Sequence, residues 1–405
     1  MASVVFALYQ FYARLRKCPQ FNSALSRVVV SSFVVTTDGE RDLARQHPAT
    51  LRNTFWRVLI PTLNGKDNYL YYISCLQDFL LQKIMKKTAE FVSPKHPDKI
   101  CDTIADSILD EYLKNDAGSR VAVEIMGGHG LITINGEVTS ASNPDLEKLV
   151  KEIVGENYKV AINLVRQSPE IAHGVDVGGA GDQGIMKGYA TDETPEYLPL
   201  EYVLARNLCE KIFAVYPYDG KVQVTVEGAK VLTVVASFQN TKNAELLKLV
   251  KEIIVADEYL INPAGEWTHG GFDADTGLSG RKLIIDNYGP EIAIGGGSFS
   301  GKDATKVDRS GAYMARFAAK NLVAAGYGKE VWVSVAYAIG LPEPLMLEAV
   351  NEKGVDLSEI LKKNFNFRPE AIIDRLGLRS PIFRQTATYG HFGKENLPWE
   401  KIEKF

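Results

Sequence analysis

Downstream of Met85 the apolar and polar positions fall into three successive groups, each a helix with a pair of strands. Residues 99–114, KICDTIADSILDEYLK, put Ile100, Ile104, Ile108 and Leu109 on one stripe and Asp102, Asp106 and Asp110 off it. That 3.6-residue period predicts an amphipathic helix. Two β-type runs follow at 120–125 and 130–139, separated by Gly127 and Gly128. The second group reads as a helix over 200–213, strands over 222–228 and 231–238, and a helix over 244–254. The third reads as a strand-like Ile292–Ile294, a glycine-rich loop, a helix over 310–325, a strand over 331–339 and a helix over 357–365. One grammar used three times, without a residue-level self-match, predicts an α/β (α+β) fold of three similar domains with mixed or antiparallel sheets, bounded at 85–177, 178–267 and 268–405.

Composition changes this picture at one place. The chain of 405 residues is 45% hydrophobic and 24% charged with 34 Gly, 17 Pro and 4 Cys, which excludes collagen-like, disordered and disulfide-scaffold classes, and its formal charge of −4 disfavours a broad nucleic-acid surface. That average hides a break: residues 1–84 carry +5 and hold 12 of the 39 aromatics but two of the 34 glycines, while the remaining 321 residues carry −9. No acidic residue precedes Asp38, and serines are frequent, which is the composition of an organellar targeting segment or of a translated upstream stretch. No apolar run reaches the ~20 residues of a membrane span. The four cysteines, at 18, 75, 101 and 209, form no CxxC, so a zinc site and a secreted disulfide framework are both disfavoured and a reducing, cytoplasmic setting is expected.

Candidate chemistry sits in the loops between the predicted elements. Gly295–Ser310, GGGSFSGKDATKVDRS, offers backbone N–H groups to an oligophosphate, with Lys302 and Lys306 four apart on one expected helix face and Asp308 as a metal ligand. Residues 296–302 match a phosphate-binding P-loop up to the last position, where Asp303 replaces the Ser/Thr that would bind Mg²⁺. His96-Pro97-Asp98-Lys99 opens the first helix, where Asp98 either caps the helix or ligates a metal and His96 and Lys99 face a phosphate. Gly178–Gly184 carries Asp182 and Gln183 among residues without bulk, and Asp275–Lys282 ends in Arg281 and Lys282. Glu124 and Glu137 stand on apolar strands, as outward charges or as pocket carboxylates.

HPDK at 96–99, GAGDQG at 179–184, GLSGRK at 277–282, the 295–310 segment and TYGHFG at 388–393 together resemble the methionine adenosyltransferase (S-adenosylmethionine synthetase) family, in the same order and from about Thr88 to Lys404. The resemblance implies three similar α/β domains in a pseudo-threefold arrangement. It also implies a reaction: the sulfur of L-methionine attacks C5′ of ATP, the triphosphate leaves, and it is cleaved to pyrophosphate and phosphate. By motif match, His96, Lys221, Arg281, Lys282 and Lys302 hold the triphosphate; Asp98 and Asp308 each hold one of two Mg²⁺ ions; Glu124 ligates K⁺. Glu137, Gln167, Asp275 and Lys306 contact methionine, and Asp182 lies in the nucleotide and methionine region. Asp219 meets the ribose, while Trp267 and Ile339 sandwich adenine, with Glu266 and Ser298 nearby. A homodimer or homotetramer with active sites between subunits is implied.

Some positions depart from the family pattern. Pro94-Lys95 stands where Glu-Gly usually precedes HPDK, Ser298 replaces a usual Ala, and Phe238 and Asn240 replace polar residues. The stretch between Gln167 and Gly179 is short, so altered gating and nucleotide selectivity are expected. The competing readings are an ATP-hydrolysing phosphotransferase built on the near-P-loop, and a non-catalytic paralogue.

Overall fold

The computed structural model describes residues 85–167 and 178–405; the basic segment 1–84, with its targeting expectation, and the short stretch 168–177 lie outside the described residues. Two of the three groups share a construction. β2 (Arg120–Gly128) and β3 (Leu131–Thr139) form an antiparallel hairpin, α2 (Leu146–Val154) crosses over, and β4 (Lys159–Val165) returns parallel to β3. In the same way β6 (Gly220–Glu227) and β7 (Lys230–Phe238) form a hairpin, α4 (Asn243–Ile253) crosses, and β8 (Glu258–Ile261) pairs parallel to β7. The third sheet is antiparallel throughout, from β10 (Glu330–Tyr337) and β11 (Met346–Asn351).

Each sheet is completed by a strand from elsewhere in the chain. β1 (Lys86–Val92) adds to β6, β5 (Gly184–Thr191) adds to β10, and β9 (Gly277–Leu278) adds to β2, all antiparallel. The three sheets are therefore β1-β6-β7-β8, β11-β10-β5 and β4-β3-β2-β9. A long helix covers each: α1 (Pro97–Asn115) lies on β2 and β9, α3 (Leu200–Val215) on β1 and β6, and α6 (Val307–Ala324) on β5 and β10. The last approach is close, because a Cβ on Gly188 of β5 would stand 2.2 Å from the Ala315 carbonyl carbon of α6. The short α5 (Leu283–Asp286) and the pair α7 (Ser358–Asn364) and α8 (Pro369–Leu376) finish the described fold.

Three sequence expectations require correction. Ile292–Ile294 is irregular backbone, held between Pro290 and three glycines. The acids of α1 are not a solvated face: Asp98, Asp102, Asp106 and Asp110 are all buried. Lys99 is buried too, with Nζ 2.9 Å from Asp102 and 2.6 Å from Asp286, so it faces carboxylates in the interior rather than a phosphate.

Ion pairs of this kind recur in the core. The Arg309 guanidinium makes a two-pronged contact with Asp106 at 2.6 and 2.9 Å. Arg316 and Lys320 converge on Glu400, at 2.9 and 2.7 Å from one of its oxygens. TYGHFG belongs to the same interior. His391 is fully buried and uncharged, kept so by desolvation and by Arg309, with Nδ1 2.8 Å from the Tyr313 hydroxyl, and Trp399 stacks on Tyr313 at 3.7 Å. This motif carries packing.

Candidate active site

The first group of functional side chains gathers around the start of α1. His96 is the N-cap in extended backbone, Pro97 takes the first helical position where its missing N–H costs nothing, and His96 Nδ1 accepts the Asp98 N–H at 3.2 Å. Asp98 Oδ1 accepts the Leu278 N–H at 3.0 Å, Oδ2 accepts from Lys282 Nζ, and Arg281 Nε lies 3.6 Å from Oδ1. Burial opposes its ionisation, yet Lys282 and the Leu278 amide outweigh it and hold the Asp98 carboxyl below the usual range. β1 and β6 bring Lys221 to Glu90 at 2.7 Å. Asp219 Oδ2 accepts the Gly271 N–H at 2.9 Å, and burial raises its pKa. Trp267 packs beside Gly270. Glu124 on β2 accepts from the Ser279 hydroxyl at 2.7 Å.

The second group lies where the glycine-rich loop meets α6. Lys302 Nζ is 2.6 Å from Asp308 Oδ2, and Lys306 Nζ pairs with Asp303. The expected shared helix face for Lys302 and Lys306 is not formed, since α6 begins only at Val307 and Lys306 is its N-cap. Asp303, which also accepts the Val121 N–H at 2.7 Å and the Thr305 N–H at 2.9 Å, is a buried structural carboxylate holding that turn. The GAGDQG loop joins this group: Ala180 bridges Ile339, and the Gly181 N–H reaches the Thr305 carbonyl at 3.3 Å. Asp182 there is exposed and accepts its neighbour's N–H at 2.8 Å. Glu137 is opposite Ala122, whose backbone bridges Lys302. Gln167 Oε1 is buried with no hydrogen-bond partner.

Other expected residues stand apart from both groups or between them. Ser298 contacts Gly280, so it sits between the two loops. Glu266 accepts from Lys242 Nζ and the Asn243 N–H, each at 2.9 Å, and thereby satisfies the start of α4. Asp275 is exposed and bonds the Thr276 N–H at 2.7 Å, but its charge acts on both His96 and Asp219, so it belongs with the first group. Trp267 and Ile339 fall in different groups of one chain. Among the described residues no ion pair or hydrogen bond links the first cation group to the second. Sequence reasoning missed Glu90, Ser279 and the anchoring carboxylates of α1. The four-residue spacing of Asp98, Asp102, Asp106 and Asp110 was the available signal for the last of these.

His96 has the most distinctive electrostatics. Burial, Lys282 and Lys221 push its pKa down from 6.5 to about 4, against the opposite pull of Asp98. The ring is therefore neutral at pH 7; with Nδ1 accepting, its proton resides on Nε2, which is a donor. The folded pKa lies below the unfolded value, so the unfolded chain gains a proton as pH falls through 6.5 while the folded chain does not. Stability is then lost between about pH 6.5 and 4. An NMR titration of the ligand-free protein is expected to show His96 still neutral at pH 5; a midpoint near 6.5 would contradict the burial argument.

A three-sheet α/β scaffold presenting cations from loops and from the start of β6, each steadied by a carboxylate, defines a class of protein suited to a small polyanionic substrate. Family comparisons narrow the class. The models for the N-terminal, central and C-terminal domains of S-adenosylmethionine synthetase match residues 85–171, 177–267 and 269–401. An S-adenosylmethionine synthase of Mycoplasma mycoides is 42% identical over 374 residues, covering 80% of this chain and 97% of that protein. Those of Desulforudis audaxviator and Staphylococcus epidermidis are 43% and 41% identical over 380 residues, covering 78% of this chain and 96% and 95% of theirs. The chain belongs to the S-adenosylmethionine synthetase family.

Proposed function

We propose that the chain is a methionine adenosyltransferase, forming S-adenosylmethionine from ATP and L-methionine by attack of the methionine sulfur on ribose C5′. The observation that carries this is the set of neutral His96 with the cations Lys221, Arg281, Lys282 and Lys302, held at the start of β6 and on loops in a chain of this family. A neutral sulfur needs no general base, so catalysis rests on aligning the sulfur with C5′ and on neutralising the leaving triphosphate. Neutral His96 donates from Nε2 to the oxygen departing from C5′, while Arg281, Lys282, Lys221 and Lys302 take up the charge that accumulates on the phosphates.

Two Mg²⁺ and one K⁺ per site are part of the proposal. Among the described residues no three His, Cys, Asp or Glu side chains cluster as metal ligands. Asp98 and Asp308 are instead single carboxylates beside lysines, and each would hold one Mg²⁺ brought in with the phosphates. A metal held there would supply charge neutralisation to the phosphates; Glu124 is the residue proposed to hold K⁺. The methionine side is assigned to Glu137, Gln167, Asp182, Asp275 and Lys306, and the unpaired Gln167 Oε1 supports a ligand contact there. Asp219 serves the ribose, with Glu266, Trp267, Ser298 and Ile339 toward adenine. The two cation groups of one chain, with Trp267 in one and Ile339 in the other, support sites completed by a second copy, in a homodimer or homotetramer. The segments 85–177, 178–267 and 268–405 remain the proposed domain boundaries, with an edge strand exchanged across each.

No helix among the described residues is long and apolar enough to cross a membrane; a cytoplasmic location, with no nucleic-acid partner, is proposed. The near-P-loop alternative is disfavoured by Asp303, whose carboxylate is spent on backbone and Lys306. The test is incubation with ATP, Mg²⁺ and K⁺. S-adenosylmethionine is expected by mass spectrometry only when methionine is added, and ATP hydrolysis without that product in folded protein would overturn the proposal.

A further inference from the structure

One arrangement occurs twice between α1 and the cationic loops. Asp102 Oδ1 accepts the Gly280 N–H at 2.8 Å, and Asp106 Oδ1 accepts the Gly301 N–H at 2.9 Å. Gly280 immediately precedes Arg281 and Lys282, and Gly301 immediately precedes Lys302. Both glycines have left-handed backbone, with φ of +72° and +84°. A side chain is shut out at each, since a Cβ would stand 2.6 Å from Ser298 Cβ at Gly280 and 2.1 Å from the Val123 carbonyl oxygen at Gly301. Each carboxylate is fully buried and is itself held by a buried cation, Asp102 by Lys99 at 2.9 Å and Asp106 by Arg309.

We propose that Asp102 and Asp106 are positioning residues for the triphosphate, each fixing the peptide that aims the next cation at it. The inference rests on the proposed methionine adenosyltransferase reading. Successive side chains four apart lie on one helix face, so a single rigid helix anchors both loops, each toward the site that its own cations serve. The neighbouring turns of α1 carry the same bond type. Asp98 holds the Leu278 N–H, and Asp110 holds the Phe383 and Arg384 N–H groups, each at 2.9 Å. Asp110 supplies the control, because its acceptor bonds reach a segment that bears none of the proposed phosphate ligands.

The experiment compares Asp102→Ala, Asp102→Asn and Asp110→Asn in the full chain. Its readouts are kcat, the KM for methionine, tripolyphosphate affinity by calorimetry, and melting temperature. Asp102→Ala is expected to lower kcat and tripolyphosphate affinity by about tenfold to a hundredfold, as for a small misplacement of a catalytic group, with the methionine KM within threefold. Asp102→Asn keeps a carbonyl acceptor for Gly280 and is expected to recover part of both losses. Asp110→Asn should change melting temperature alone. Tripolyphosphate affinity within threefold of the parent in Asp102→Ala overturns the proposal. If that variant does not fold, an Asp102→Asn protein with parental kcat and affinity and a lowered melting temperature overturns it equally, because a purely structural carboxylate moves stability only. Tripolyphosphate binding is read without turnover, so a parent chain that binds it and makes no S-adenosylmethionine counts against the reaction and leaves positioning to be judged by affinity.

Discussion

Replacing Lys302 with alanine is expected to lower turnover about a hundredfold to a thousandfold while the KM for methionine stays within threefold. The Lys302 side chain is only 19% exposed and its ammonium is already oriented by Asp308 at 2.6 Å, so it acts where water screens it poorly. Charge on the departing triphosphate is greatest as the C5′–O bond breaks. A cation that meets that charge stabilises the transition state more than bound ATP, and its loss falls on kcat. The variant also leaves Asp308 without its partner, adding a negative charge beside the phosphates. Steady-state kinetics with each substrate varied check this, and an unchanged kcat removes Lys302 from the triphosphate site.

The largest effect on stability is expected at Glu400→Ala, far along the chain from the proposed reacting groups. Glu400 is 4% exposed and is the carboxylate shared by Arg316 and Lys320. Arg316 also donates to the backbone carbonyls of Tyr189, Glu196 and Tyr197 at 2.7–2.8 Å, so it is fixed and cannot move its charge to water. Truncating the acid strands two buried cations, a loss of about 3–5 kcal/mol for one broken buried pair. A calorimetric melting temperature lowered by several degrees is the expected result, with little change in kcat for protein that remains folded. An unaltered melting temperature would show that the network carries no net stabilisation.

Much of the fold was legible because its signals are local. The 3.6-residue stripe of α1 and the hairpins β2–β3 and β6–β7 follow from periodicity within each segment, and their observed ends lie within a few residues of expectation. α8 also carried local signals that were passed over, Pro369 at its first position and Gly377 in left-handed conformation just past its end. What was not legible depends on distant partners. β1 is a strand because β6, more than a hundred residues away, pairs with it; its two leading lysines obscured the pattern. The acids of α1 read as solvent-facing because their donors, Leu278, Gly280, Gly301 and Arg309, lie about 180–200 residues onward.

The candidate site divides in the same way. The cations and their carboxylates could be named from motifs, yet their pairing could not. Asp98 with Lys282 and Lys302 with Asp308 are products of tertiary structure, as is the burial of Lys99. Lys306 shows how a pattern misleads: four-residue spacing from Lys302 suggested a common helix face, while Asp303 holds the intervening turn and captures the Lys306 ammonium.

The most direct measurement of the central claim follows the bond that breaks. ATP carrying ¹⁸O at the oxygen between C5′ and the α-phosphorus is supplied with methionine, Mg²⁺ and K⁺, and the products are resolved by mass spectrometry. Attack of sulfur at C5′ sends all of the label into the released pyrophosphate and phosphate and none into the S-adenosylmethionine formed. Label retained on a nucleoside product, with no S-adenosylmethionine, would mean that a phosphorus–oxygen bond had been cut and would contradict the assignment.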